Sequence, residues 1–335
     1  MLPFAEARLA RVPGALFLGA RAGVALHASQ WPGLVCVQGF RPQAQALERD
    51  GFAVRDDIDA LAGDAGWPLV LVVPPRQREA ARALYAQALA LAAPDAMVVS
   101  AVPNEEGAKS AEADFVRIAG PAGSLSKHKC RVFWARAGAG GDATLAAAWR
   151  EGDAIREVAS GWWSRPGVFA WDRIDIASAL LIEHLPDTLA GDGADLGAGT
   201  GVLAAAVLRR CPQVRTLDLY EADARALALA GRNLAALGTK ASVGLRWHDV
   251  GGGLPRRYDF IVTNPPFHAQ GRASRPELGQ AFLRTAAAAL RPGGALWLVA
   301  NRQLPYEQTL GEGFAEVRTV AQRDGFKIIA ARRAA

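Results

Sequence analysis

The sequence predicts an α/β protein made of two tandem, doubly wound sheets, and three observations carry that prediction. Short apolar runs alternate with Ala- and Leu-rich stretches at helical spacing in both halves of the chain. A Gly-rich segment and an aromatic pair separate the two runs. The length of 335 residues exceeds one typical core and suits two domains, expected at residues 1–150 and 151–335.

In the first half, Gly33–Val37 and Leu69–Val73 read as short buried strands. Arg76–Ala92 follows as a helix, and Asp95–Ser100 as the next strand. The joint runs from about Gly138 to Pro166 and holds Gly138-Ala139-Gly140-Gly141 and Trp162-Trp163. The tryptophan pair reads as interface core in preference to a base-stacking platform. Beyond the joint the alternation resumes with a helix near Ile176–Leu185, a strand at Gly193–Leu196 and a helix at Val202–Arg210. A strand at Thr216–Tyr220, a helix at Ala224–Leu237 and a strand at Tyr258–Thr263 come next. A helix at Gly279–Leu290 and a strand at Ala295–Ala300 complete the pattern. Strands that alternate with helices imply parallel pairing, with a ligand at the strands' carboxyl ends.

Composition narrows the class. Hydrophobic residues make up 51% and charged residues 21%, the balance of a globular chain. No apolar stretch reaches the roughly 18 residues of a membrane helix. The start, Met1-Leu2-Pro3-Phe4-Ala5-Glu6, has no basic segment leading into an apolar one, so no secretory signal is expected. Three scattered cysteines, Cys36, Cys130 and Cys211, point to a reducing cytoplasm without disulfides or a zinc site. The five histidines show no metal-ligand spacing, so no metal is expected. A net charge of +5 is compatible with a polyanionic partner. Lys127-His128-Lys129-Cys130-Arg131 is the most basic short segment, either a phosphate contact or a solvated face.

Asp195-Leu196-Gly197-Ala198-Gly199-Thr200-Gly201 sits between a strand and a helix. Glycines there let the backbone turn tightly and approach a ligand, and the helix start offers free N–H groups. A dinucleotide fingerprint needs its third glycine one position later, where Val202 stands. A nicotinamide dehydrogenase is disfavoured on that spacing, and no catalytic acid–base pair stands out. Glu221 ends the next strand, where an acid can accept hydrogen bonds from both ribose hydroxyls of a nucleoside. Asp249, in Trp247-His248-Asp249, either meets the adenine of that nucleoside or begins the turn Val250–Gly253.

The strand Asp259–Thr263 runs into Asn264-Pro265-Pro266-Phe267-His268. Two prolines restrict the backbone and remove its donors. The Asn264 side-chain oxygen and the Pro265 carbonyl then form two acceptors for the two hydrogens of an NH2 group. Such a grip aims the nitrogen lone pair at a methyl donor and favours the positive charge that develops on nitrogen. Phe267 is placed to stack on a flat base, worth about 1–3 kcal/mol.

At these residues the sequence resembles the class I methyltransferases, and more closely the bacterial ribosomal-RNA guanine-N2-methyltransferases of the RsmC and RlmG type. Pro166-Gly167-Val168-Phe169 with Asp175, Asn264–His268, Ala300–Tyr306 and Phe326-Lys327 carry the likeness in the second half. In the first half it rests on Pro74-Pro75-Arg76, Asn104–Ser110 and Ser126–Arg131. The resemblance implies two tandem Rossmann-like methyltransferase domains, the N-terminal one lacking the cofactor loop and serving RNA recognition or structural support. It implies S-adenosyl-L-methionine held by Asp195, Gly197, Gly199, Gly201, Glu221 and Asp249, with Phe169 and Asp175 at the methionine end. Asn264, Pro265 and Phe267 would hold the target guanine, with small-subunit (16S) ribosomal RNA the first expectation.

Large-subunit RNA, an adenine or a protein glutamine are alternative acceptors, and an RNA-binding assembly factor is the alternative without catalysis. The expected partner is ribosomal RNA or a ribosomal subunit, with no membrane. The sequence leaves the oligomeric state open, a monomer being the default. His268 is the nearest candidate base, and the chemistry does not require one.

Overall fold

The computed structural model describes residues 4, 9–61, 63–158, 161–266 and 276–335. The chain forms two compact units. One holds the residues up to Ile155 together with Arg165–Gly167, and the other holds Arg156–Ser164 and Val168–Ala335.

The first unit is a seven-stranded sheet. Its strands are β1 (Leu16–Leu18), β2 (Val35–Val37), β3 (Ala53–Arg55), β4 (Trp67–Val72), β5 (Ala92–Pro103), β6 (Gly123–Lys127) and β7 (Cys130–Arg136). They lie in the order β3-β2-β1-β4-β5-β7-β6. The second unit opens with a hairpin of β8 (Arg156–Val158) and β9 (Trp162–Ser164). Its main sheet holds β10 (Gly191–Leu196), β11 (Val214–Glu221), β12 (Ser242–Trp247), β13 (Tyr258–Thr263), β14 (Leu290–Asn301), β15 (Glu316–Arg323) and β16 (Phe326–Arg332). Their order is β12-β11-β10-β13-β14-β16-β15, the first sheet repeated strand for strand.

The central strands are buried on both faces, as parallel strands between helical layers require. In the second unit Leu217, Leu219, Phe260 and Val262 pack into one core, and Leu196, Tyr220, Ile261 and Leu298 into the other. The first unit divides likewise, with Leu16, Leu18, Val70 and Val72 opposite Phe17, Cys36, Leu69 and Leu71.

Two features depart from the sequence expectation. Each sheet ends in an antiparallel hairpin, so neither is wholly parallel. The hairpins close through two-residue turns with both φ positive, 53° and 58° at His128-Lys129 and 53° and 81° at Asp324-Gly325. That is the turn whose twist matches paired strands. The expected joint is also not a bare linker. It contains a helix, Ala143–Gly152, capped by Asp142, whose side chain accepts the Leu145 N–H at 2.8 Å.

Candidate active site

The carboxyl ends of the central strands converge on a cleft in the second unit. β10 ends at Leu196, and the backbone N–H groups of Gly197 and Ala198 both donate to the Tyr220 carbonyl, at 2.8 and 3.1 Å. The chain then turns through Gly197, Gly199 and Gly201, with φ of 70°, 54° and 89°, into the helix Val202–Arg210. These angles are cheap only for glycine. A Cβ at Gly199 would meet nothing within 4 Å, so the loop presents bare backbone to open space there.

Two acids support the loop. Glu221, at the end of β11, accepts the Gly199 N–H through Oε2 and the Asp223 N–H through Oε1, both at 2.8 Å. Burial pushes its carboxyl above the usual range, and the Asp223 charge adds to that. Asp195 is fully buried beneath the loop, where Oδ2 accepts the Ala204 N–H at 3.1 Å. Its Oδ1 has no hydrogen-bond partner among the described residues. Burial, reinforced by the Glu221 charge, pushes its pKa up to about 8.

β13 ends beside β10, tied to it by Thr263 Oγ1, which donates to the Leu196 carbonyl at 2.7 Å. Asn264 follows at once. Its Nδ2 donates to Asp175 Oδ2 and to Ser178 Oγ, each at 2.9 Å. Asp175 also caps the helix Ile176–His184 by accepting the Ser178 N–H at 2.9 Å.

The cleft is a shallow depression open to solvent. Of the residues singled out from sequence, it brings together Gly197, Gly199, Phe169, Asp175 and Asn264. Phe169 is 67% exposed on its wall and so is not a core aromatic. Asp195, Gly201, Glu221 and Asp249 are not part of the lining. The Asp249 side chain accepts the Gly251 N–H at 2.9 Å and so starts the turn Val250–Gly252. Pro265 is buried. Phe267 and His268 lie outside the described residues.

Three site features were missed from sequence. Trp162 lines the cleft, and its Nε1 donates to Thr200 Oγ1 at 3.0 Å. Asn233 is 4% exposed and clamps β9 to the glycine loop. It donates to the carbonyls of Trp163 and Thr200, each at 3.1 Å, and accepts the Trp163 N–H at 2.8 Å. Its signal was a lone amide on the apolar face of Ala224–Ala235, because a buried polar group there needs partners. Ser178 is the third, and one serine inside an apolar helix gave no comparable signal.

The family model described as the methyltransferase small domain matches residues 160–330. A ribosomal RNA small subunit methyltransferase C from Pseudomonas paraeruginosa is 36% identical over 294 residues, covering 87% of this chain and 86% of that protein. The chain belongs to the ribosomal RNA small subunit methyltransferase C family. Its counterpart from Shewanella loihica is 39% identical over 171 residues, 50% of this chain and 48% of that protein. The fold of the T. thermophilus 16S rRNA N2 methyltransferase, solved with AdoMet and guanosine, is similar with a TM-score of 0.80. That likeness covers 97% of this chain and 89% of that one, at 22% identity.

Strand register gives Asp195, Glu221, Asn264 and the glycine loop counterparts in the first unit. Leu18 pairs with Val37 and Val72, as Leu196 pairs with Tyr220 and Thr263. Phe17 therefore stands where Asp195 does, Gln38 where Glu221 does, and Val73 where Asn264 does. Gly19 matches Gly197 with a φ of 65°, and Arg21 occupies the place of Gly199. Gln38 keeps a tether to its loop, donating through Nε2 to the Ala20 carbonyl at 2.6 Å. Among the described residues no helix is long and apolar enough to cross a membrane, and no cluster of three metal-ligating side chains occurs.

Proposed function

We propose that this chain uses S-adenosyl-L-methionine to methylate the exocyclic N2 amine of a guanine in small-subunit (16S) ribosomal RNA. The observation that supports this best is Asn264, at the end of β13 and in the same cleft as the bare-backbone loop Gly197–Gly201. The cofactor, when bound, supplies an electrophilic methyl group on sulfur.

The chain's residues divide the remaining work. Gly197, Gly199 and Gly201, with the helix start behind them, cradle the cofactor. Glu221 accepts hydrogen bonds from its ribose, while Asp249 serves as the cap of the turn Val250–Gly252. Asp195 holds the loop from below, and Phe169 forms the wall at the methionine end. Asn264 Oδ1 and the Pro265 carbonyl accept the two hydrogens of the amine, and Phe267 stacks on the base. Positioning supplies much of the rate, because the lone pair is aimed before reaction. Both acceptors gain strength as positive charge develops on nitrogen. The methylated nitrogen releases its surplus proton to water, so no base is needed.

The target guanine must be unpaired or flipped out, since a stacked base cannot enter the cleft. Residues 1–150 serve RNA recognition or structural support and bind no cofactor. The loss of the Asp195, Gly199, Glu221 and Asn264 counterparts supports that division. The chain works on ribosomal RNA or a ribosomal subunit in the cytoplasm, where Cys36, Cys130 and Cys211 stay reduced.

The test is transfer of labelled methyl groups to small-subunit RNA or immature subunits that lack the mark, followed by nucleoside digestion. N2-methylguanosine is the expected product. N6-methyladenosine, methylglutamine, or no incorporation would each overturn the reading.

A further inference from the structure

Asn264 is held by its nitrogen, and its principal holder can only accept. Nδ2 donates to Asp175 Oδ2 and to Ser178 Oγ, each at 2.9 Å. The same Asp175 oxygen accepts the Ser178 N–H, which fixes the carboxylate to the first turn of Ile176–His184. An asparagine amide has two ends of nearly equal shape, and its surroundings decide which end is oxygen. A carboxylate has no proton to give, so the nitrogen faces Asp175 and Oδ1 faces away. A flipped amide would set oxygen against the carboxylate and offer an NH2 group to a substrate amine that itself donates.

We propose that Asp175, assisted by Ser178, is a positioning residue that orients and polarises the Asn264 amide so that Oδ1 receives the substrate amine. The proposal rests on the reading of Asn264 as the amine holder. It moves Asp175 from the cofactor to the acceptor side of the site. Orientation follows from the two hydrogen bonds, which leave the amide one acceptor atom and one direction for it. Polarisation follows from the charge, because an amide that donates to a carboxylate becomes a stronger acceptor at its oxygen. Both effects bear on amine capture and transfer, and neither involves cofactor affinity.

Asp175→Asn tests this with the cap retained, since asparagine caps helices as well as aspartate does. Turnover is expected to fall about 10- to 100-fold, the range for losing a hydrogen bond to a charged group. Cofactor affinity, read by calorimetry, is expected to stay within about 2-fold. In an Asn264→Ala background the same substitution should change turnover by less than about 2-fold, because the two residues act as one unit. A parallel loss of cofactor affinity, or an equal turnover loss in both backgrounds, would overturn the proposal.

A second measurement needs no substrate. The chain has only four asparagines, Asn104, Asn233, Asn264 and Asn301, so 15N-asparagine labelling gives four side-chain amide signals. The Asn264 signal is identified by its loss in Asn264→Ala. In the wild type its protons should exchange slowly with water, and Asp175→Ala with Ser178→Ala should speed that exchange at least about 10-fold. Asn233, held by Trp163 and Thr200, should stay protected. Unchanged Asn264 exchange would contradict the proposal. Inactivity of the wild type on RNA would instead count against the proposed function and leave this measurement standing.

Discussion

The two units share one strand order and one hairpin edge, and they differ where the strands end. At the carboxyl edge Phe17, Arg21, Gln38 and Val73 stand in the first unit where Asp195, Gly199, Glu221 and Asn264 stand in the second. Most of each core lies on the strand faces below the edge and survives those exchanges, while Phe17 joins the first unit's core and Val73 packs against it. Fold and chemistry are thus written largely in different residues. Even the tether from β2 to its loop persists, with Gln38 donating where Glu221 accepts.

The buried acids of the two units differ in the same sense. Burial tends to raise Asp114 in the first unit, but hydrogen bonds and charge from Arg78 and Arg82 outweigh it and bring it to about 2. Asp195 has no cation beside it among the described residues and is pushed up to about 8. The paired acid serves stability, and the unpaired one lies under a loop whose backbone at Gly199 faces open space.

Substituting first-unit residues into the second unit sharpens this comparison. Asn264→Val, copying Val73, should lower single-turnover methyl transfer by about 10²- to 10³-fold, the cost of losing one preorganised polar group. Cofactor affinity, measured by calorimetry, should remain. Glu221→Gln, copying Gln38, should weaken cofactor binding about 10-fold, since the charge-assisted half of the ribose contact is lost. Its Gly199 hydrogen bond can persist through the amide oxygen.

The acids give a prediction of definite sign. A carboxyl raised in the folded state favours folding fully below its unfolded pKa, and that contribution is lost as pH rises toward its folded value. Asp195 should therefore make stability fall between about pH 4 and pH 8, by at most about 1.4 kcal/mol per pH unit. Asp195→Asn should flatten that slope in denaturant melts at pH 5, 6.5 and 8. Asp114 has the opposite sign, contributing above pH 4 and losing its contribution as pH falls toward 2. Arg21→Gly should have the smallest effect, leaving cofactor affinity within about 2-fold, because the other first-unit replacements remain.

Legibility in the sequence tracked the range of the interaction. β13 at Tyr258–Thr263 and the helix Val202–Arg210 were read to the residue, because periodicity and flanking glycine or proline are local signals. The three-residue strands β1 and β3 were not read, being too short for a period to form. Asp324-Gly325 carries a hairpin signal in the sequence, whereas His128-Lys129 carries none. The positions of the glycine loop, Glu221 and Asn264 are legible because each ends or follows a strand. The Asp175–Asn264 bond spans 89 residues and the Trp162–Thr200 bond 38. Contacts of that separation leave no pattern in one sequence.

The claim that one unit alone carries the cofactor site is tested most directly by the stoichiometry of S-adenosyl-L-methionine binding. Calorimetric titration of the full chain should give one site per chain. Gly199→Arg, which sets the Arg21 side chain into the open space beside the loop, should abolish it with the fold intact by circular dichroism. Two sites per chain, or binding that survives Gly199→Arg at full stoichiometry and affinity, would contradict it.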